Sequence, residues 1–414
     1  WMAAPAIALS GLLGGGFGAG VGLAARKLIG SGQALRLPRG YTYITLLWGV
    51  AALLCLAGVA LLGLSALADR LLADRRGHGA PAEIGLLHTN PADAARAAKA
   101  WWWAGWERRH LHQAVLALTA ALSVGTALSV VLRLSQPPRA LPSWTAPLSG
   151  FGVLMLGFLA VALLRSVYLA ARKPSAARHL GSIADLASFW PRETHPIVPP
   201  CYALKAIPEI AARAAEYLKD GNTRVVLSAH SQGSVLMLAA AGALLETLSE
   251  TERERLGVLV SGAPLQWAYP RAFPAVVPVS ALSALYAGLD GRLRALCRGT
   301  DPFGGAVTTW QRQVFDDELV GLGYRTEGGP GALAAASVGP SGALVLGGDH
   351  WLPDPQHGPV TGRRWSPGIN AHTDYQGDPE WDRAVAMAAG LLPANATPSQ
   401  AMLFPLPGFG TRAH

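Results

Sequence analysis

Val225-Val226-Leu227-Ser228-Ala229-His230-Ser231-Gln232-Gly233 reads as strand, sharp turn and helix, with a serine at the turn. This is the small-x-Ser-x-small pattern of a nucleophile elbow, with Ala229 where the first glycine usually stands. A serine held between a strand and a helix has a strained backbone, and the residues two before and two after it come close together. Glycine suits both places, and alanine is the next smallest. The helix that follows presents unpaired N–H groups and a partial positive charge at its start, which suit a developing oxyanion. The amide of Gln232 is the expected first donor. The plainer alternative is a serine that caps a helix. The apolar strand before it, and Val235, Leu236 and Leu238 after it, favour the elbow.

Such a serine needs a base and a group to orient that base, and in α/β enzymes with this elbow the chain order is Ser, then Asp or Glu, then His. Asp301 follows the expected strand 293–297 within Gly299-Thr300-Asp301-Pro302-Phe303-Gly304-Gly305, a carboxylate just past a strand and fixed by Pro and Gly. The bland reading is an aspartate in a Pro-Gly turn. Two late histidines can serve as the base, His350 and His372. His372 stands in Asn370-Ala371-His372-Thr373-Asp374-Tyr375, between the last expected strand (343–346) and the last expected helix (378–392), which favours it over His350.

Around these residues, amphipathic helices and short strands alternate. Helices are expected at 207–220, 232–248 and 378–392, and strands at 224–229, 256–260, 293–297 and 343–346. That alternation marks an α/β domain over residues 181–392, with 393–414 a loop-like tail. Segment 266–287 is unusually apolar and aromatic. It reads equally as a lid or acyl-binding surface and as helix packing under the sheet.

Half of the 414 residues are apolar (51%) and only 14% are charged. The excess apolar character lies in residues 1–172, where four stretches are long enough to cross a bilayer: 2–25, 43–68, 111–132 and 148–170. The first is rich in glycine, which lets membrane helices approach closely. The rival, four buried helices of a soluble bundle, needs a polar face on each helix, and the second and fourth stretches lack one. Arg70, Arg75, Arg76, Arg108, Arg109, Arg172, Lys173 and Arg178 share one side with the C-terminal domain; Arg26, Lys27, Arg36, Arg39, Arg133 and Arg139 flank the other ends. The bias of basic residues expects the C-terminal domain in the cytoplasm. Trp101, Trp102, Trp103 and Trp106 precede the third stretch and read as an interfacial aromatic belt, with a buried aromatic core as the alternative.

The formal net charge of +8 is scattered, with no basic run of the kind that binds nucleic acid. Cys55, Cys201 and Cys297 have neither metal-ligand spacing nor the look of a disulfide framework, so a reducing compartment is expected. The sequence starts on Trp1 and reads as a fragment; no cleavable signal peptide is expected, because the first apolar stretch is followed by more of the same.

Several blocks together resemble a group of uncharacterised actinobacterial integral membrane proteins with a lipase-like α/β-hydrolase domain. They are Phe189-Trp190-Pro191-Arg192 with Pro199-Pro200-Cys201-Tyr202, the elbow, Ser261-Gly262-Ala263-Pro264-Leu265 with Arg271-Ala272-Phe273-Pro274, the block around Asp301, and His372-Thr373-Asp374-Tyr375. The resemblance implies a serine hydrolase domain with Ser231, Asp301 and His372 in the triad roles, and no particular substrate. One departure stands out. A complete domain of this kind has several strands before the nucleophile, and a loop among them supplies the second oxyanion donor. Here that space is membrane helix, with one upstream candidate at 183–190. Either the strands lie before Trp1 or the sheet is reduced.

The function expected is a membrane-anchored esterase or lipase working by acyl transfer, with neither metal nor organic cofactor. Its partners are the lipid bilayer and an amphiphilic or small acyl ester. The rival is a membrane scaffold or sensor that keeps a degenerate hydrolase fold for binding. A transporter needs polar groups within the spans, and almost none are present.

Overall fold

The computed structural model describes residues 3–29, 39–75, 81–134, 142–172, 202–266, 269, 278–356 and 368–393. The upstream strand candidate at 183–190, the blocks at 189–192, 199–201 and 271–274, most of 266–278 and the tail from 394 lie outside the described residues. The chain forms two compact units, residues 1–77 with 110–190 and residues 78–109 with 191–414.

The first unit is helical. It holds α1 (Ala3–Ile29), α2 (Arg39–Arg75), the later part of α4 (Pro91–Leu134) and α5 (Ala146–Arg172). Among the described residues, Thr42–Ala68, Pro91–Leu128 and Ser143–Arg165 are long and apolar enough to cross a membrane. The helix α1 forms at the first expected stretch but is not one of these three. On α2, Leu54, Leu56, Val59, Leu61 and Leu64 are each more than half exposed, and on α5 so are Leu154, Phe158 and Val161. Leucine-rich helices that leave this much apolar surface uncovered need an apolar surrounding. The helices α2 and α5 meet through small residues. A Cβ on Gly152 would stand 1.7 Å from the Thr45 carbonyl oxygen, and one on Gly49 would stand 2.1 Å from that of Leu148. The hydroxyls of Thr45 and Ser149 are hydrogen-bonded across the same contact at 2.6 Å.

The second unit is built on a six-stranded mixed sheet. Its strands are β1 (Val225–His230), β2 (Leu256–Ser261), β3 (Leu293–Cys297), β7 (Ser337–Val338), β8 (Leu344–Leu346) and β9 (Asp349–Trp351), in the spatial order β1-β2-β3-β9-β8-β7. The first four in that order run parallel, and β8 and β7 close one edge antiparallel. A separate antiparallel sheet contains β4 (Thr309–Phe315), β5 (Glu318–Tyr324) and β6 (Pro330–Ala332).

Both β2 and β3 are buried along their whole length, so neither alternates inside with outside, and the one charged residue of β3, Arg294, is buried with the rest. Adjacent residues serve opposite faces. Leu296 joins Leu259, Leu352, Ala384 and Ala388 on the side covered by α10 (Glu380–Ala388). Cys297 joins Leu344, Leu346 and Trp351 on the other side. The fit against α10 is close: a Cβ on Gly257 would lie 1.8 Å from the Ala388 carbonyl oxygen. The helices α6 (Ala203–Leu218), α7 (Gly233–Thr247), α8 (Glu250–Arg253) and α9 (Val279–Gly288) complete the unit. Of these, α6 starts a turn earlier than its pattern expects and carries Pro208 inside it.

Two expectations change here. The run 343–346, expected as the last strand before the histidine, is followed by one more. The run itself is the antiparallel β8, and β9 supplies the parallel place beside β3. Residues 78–109 were grouped with the membrane region, but they pack with the sheet unit. Leu86 and Leu87 of α3 (Glu83–Leu87), and Trp101 of α4, join the core around Cys297 and Trp351. Trp101 stacks on Trp351 with ring centroids 6.2 Å apart, so this tryptophan belongs to an aromatic core rather than to an interfacial belt. Trp102, Trp103 and Trp106 form an edge-to-face series beside it.

Candidate active site

The elbow forms as its composition requires. Ser231 follows β1 at a φ of 56°, in the left-handed region that a non-glycine residue adopts only under constraint. Its amide bonds the Ser261 carbonyl at the end of β2 (2.8 Å), and its carbonyl accepts from Ser234 (3.0 Å) in the first turn of α7. A Cβ on Gly233 would lie 3.2 Å from the Cβ of Ala229, so the two small residues flank the serine at contact distance. Gln232 stands at the N-cap of α7. Among the described residues its amide has no backbone acceptor, and its side-chain Nε2 lies 3.4 Å from the Tyr202 hydroxyl.

Asp301 lies four residues past the end of β3 and is fully buried. Its Oδ1 accepts the amides of Phe303 and Gly304, both at 2.8 Å, so the Pro-Gly turn after it serves as a cradle. Glycine is needed there: a Cβ on Gly304 would stand 2.4 Å from Gly262 and 2.5 Å from Asp301 Oδ2. The Tyr375 hydroxyl donates to Oδ2 at 2.7 Å. Burial pushes the Asp301 carboxyl up, but the His372 imidazole, the Gly304 amide and the Tyr375 hydroxyl outweigh it and hold the group below its ordinary value. Burial, and then the Asp301 charge, push the Tyr375 phenol well up, so it stays a neutral donor.

His372 joins the two. Its Nδ1 is 2.8 Å from Asp301 Oδ2 and 2.9 Å from Oδ1, and its Nε2 is 2.9 Å from Ser231 Oγ. An ionised aspartate only accepts, so Nδ1 carries the proton and Nε2 is free to accept from the serine. The ring is partly exposed, and it rests edge-on against Phe303 (5.3 Å) and beside His230 (4.6 Å). Burial, and then the His372 charge, lower the basicity of His230, which favours its neutral form next to the relay. A cavity of about 710 Å³ borders the site on the side of His230, Tyr375 and Trp381.

His350, the other candidate base, is fully buried on β9. Arg294 Nε donates to its Nε2 at 2.9 Å, and its Nδ1 bonds Glu380 Oε1 at 2.8 Å. Burial and the Arg294 charge bring its pKa down to about 4, so it is a neutral core residue that ties β3 and β9 to α10.

Three supporting residues had no role in the sequence reading: Arg298, Asp354 and Tyr375. Tyr375 lies in the same block as His372, and that adjacency was its only sequence signal. Arg298 and Asp354 reach residues far along the chain and carry no local pattern. Compared with protein-family models, curated proteins and solved structures, the chain matches none of them.

Proposed function

We propose that this chain is a membrane-anchored serine hydrolase of the esterase or lipase type, working by acyl transfer. The observation that carries the reading is the continuous relay Ser231 Oγ–His372 Nε2, His372 Nδ1–Asp301, attached to a serine at positive φ on a strand-to-helix turn. In the proposed reaction Ser231 Oγ attacks the acyl carbonyl while His372 Nε2 takes its proton. Asp301 holds the Nδ1–H tautomer and balances the imidazolium, and the Gln232 amide faces the developing oxyanion. The proton then passes to the leaving alkoxide, leaving an acyl-serine. A water molecule, deprotonated by the same nitrogen, attacks that ester and restores the hydroxyl.

The parallel order β1-β2-β3-β9, with Ser, Asp and His following β1, β3 and β9, supports an α/β-hydrolase-like sheet. Three apolar helices support anchorage in a membrane, which suits an amphiphilic acyl ester. The bias of basic residues toward the side shared by segment 69–110 and this domain supports a cytoplasmic domain.

A rival, a binding scaffold with a degenerate hydrolase fold, draws on one observation: the described residues offer one amide donor at the elbow and no second donor loop. Labelling by a fluorophosphonate decides between them. The wild type in detergent is expected to react, and Ser231→Ala to abolish the reaction. A folded wild type that stays unlabelled in both detergent and lipid overturns the enzyme reading in favour of the scaffold.

A further inference from the structure

We infer that Arg298 and Asp354 are positioning residues that clamp the His372 loop in its working conformation, an inference that rests on the hydrolase reading above. Residues 370–374 belong to no helix or strand. Two of them are non-glycine residues at positive φ, Ala371 at 46° and Asp374 at 52°. L side chains disfavour this region, so such a loop persists only where its surroundings impose it.

What imposes it is a pair of buried groups of opposite charge. Arg298, directly after β3 and only 1% exposed, turns its guanidinium onto the carbonyls that bracket the histidine. It lies 3.4 Å from Ala371 O, 2.5 Å from Thr373 O and 3.4 Å from Asp374 O. The same group meets the Asp378 carboxylate at 3.3 Å and covers the Tyr375 ring at 4.3 Å. Asp354, 2% exposed, works on the amides instead. Its carboxylate accepts from Asn370 N at 2.8 Å and Ala371 N at 2.9 Å, and from the Thr300 hydroxyl. A cation on carbonyl oxygens and an anion on amides is the arrangement that peptide dipoles favour.

Neither group has a hydrogen bond to Ser231 or to the His372 ring, so both act through the loop. Both are also tied to the acid. Arg298 stands three residues before Asp301, and Thr300, the donor to Asp354, is its neighbour. The clamp therefore fixes base to acid by bonds outside the relay itself.

The test uses the full chain in detergent, with p-nitrophenyl butyrate turnover and the rate of fluorophosphonate labelling as readouts. Asp354→Asn keeps the shape but sets an amide nitrogen against one of the two backbone donors. Displacing a base by about 1 Å costs on the order of 10²-fold, so kcat and the labelling rate should fall about 10- to 100-fold with KM within about twofold. Arg298→Lys keeps the charge beside Asp378 but cannot span three carbonyls, and should act in the same direction. Thr300→Val removes one hydroxyl at constant volume and should give a smaller loss of the same kind, so it carries the test if either buried charge proves essential for folding.

The decisive comparison repeats Asp354→Asn, or Thr300→Val, in a His372→Ala background. A residue that works through His372 adds no further loss to the residual rate once the ring is gone. Undiminished kcat in a folded Asp354→Asn protein overturns the clamp, and so does an equal loss with and without His372. Failure of the hydrolase reading looks different: the wild type itself reacts with neither reagent.

Discussion

Ser231, Asp301 and His372 are held by different means, and this sets what each substitution should do. His372 is the only group that touches both others. Removing it leaves the serine without a base, so His372→Ala is expected to cost about 10⁴-fold in kcat with the fold intact. Asp301→Asn should cost less than that, because the histidine remains but in the wrong tautomer. His350→Ala should leave the labelling rate nearly unchanged, since its ring engages Arg294 and Glu380 instead. Steady-state turnover of an acyl ester, with thermal melting as the control for folding, checks all three. These residues were legible because the small-residue spacing of an elbow and the order of acid and base are local or ordinal facts about a sequence. Arg298 was not. Its partners at 371, 373 and 374 lie more than seventy residues away, and nothing around it marks a buried cation.

At the scale of elements, the sequence revealed β1, β2 and β3 as short strands between turn signals and placed α7 and α10 to within a few residues. It missed β9 because Asp349-His350-Trp351 has two polar residues out of three. Their burial is repaid by partners elsewhere: Asp349 accepts the amides of Val307, Thr308 and Thr309, and His350 bonds Arg294 and Glu380. The sheet of β4 to β6 was missed for a related reason, since β4 carries Gln311 and Gln313 on its open face and the charged Arg312, laid over the Trp351 ring, on its inner one. In the helical unit, the approach of α2 to α5 makes its own prediction. The Thr45–Ser149 contact of 2.6 Å is short enough for a cysteine pair at the two positions to form a disulfide under mild oxidant. Adding Gly152→Val should prevent it, because that side chain would occupy the space of the Thr45 backbone. A shift on non-reducing electrophoresis reads the result; a bond that forms despite valine at 152 shows that the helices do not need this contact.

The whole molecule divides at places that hydropathy alone does not mark. Residues 78–109 precede an apolar stretch and read as part of the membrane region, yet they pack with the sheet. Glu83 pairs with Arg312, His88 Nε2 meets the Asp354 amide at 3.4 Å, and Arg108 reaches the Gly299 carbonyl at 3.4 Å. A Cβ on Gly299 would stand 2.1 Å from the Trp101 ring. Such contacts join residues 191 to 266 positions apart, which a reading by composition windows does not see. Topology is the prediction that belongs here. A reporter fused after His414 is expected to be active as a cytoplasmic fusion, following the basic residues that flank the apolar stretches. A periplasmic or extracellular signal would reverse the orientation.

The hydrogen bonds around the relay are unevenly distributed. Those that fix Asp301 and steer the backbone around His372 come from the segments that follow β3 and β9, while a single 2.9 Å bond joins the ring to the serine carried by β1. Asp301 and His372 thus form a self-supporting cartridge, and Ser231 is delivered to it from two strands away. The seam of the machine lies between serine and histidine: a shift of β1 against β3 by a fraction of an ångström would disengage Ser231 while leaving the cartridge assembled.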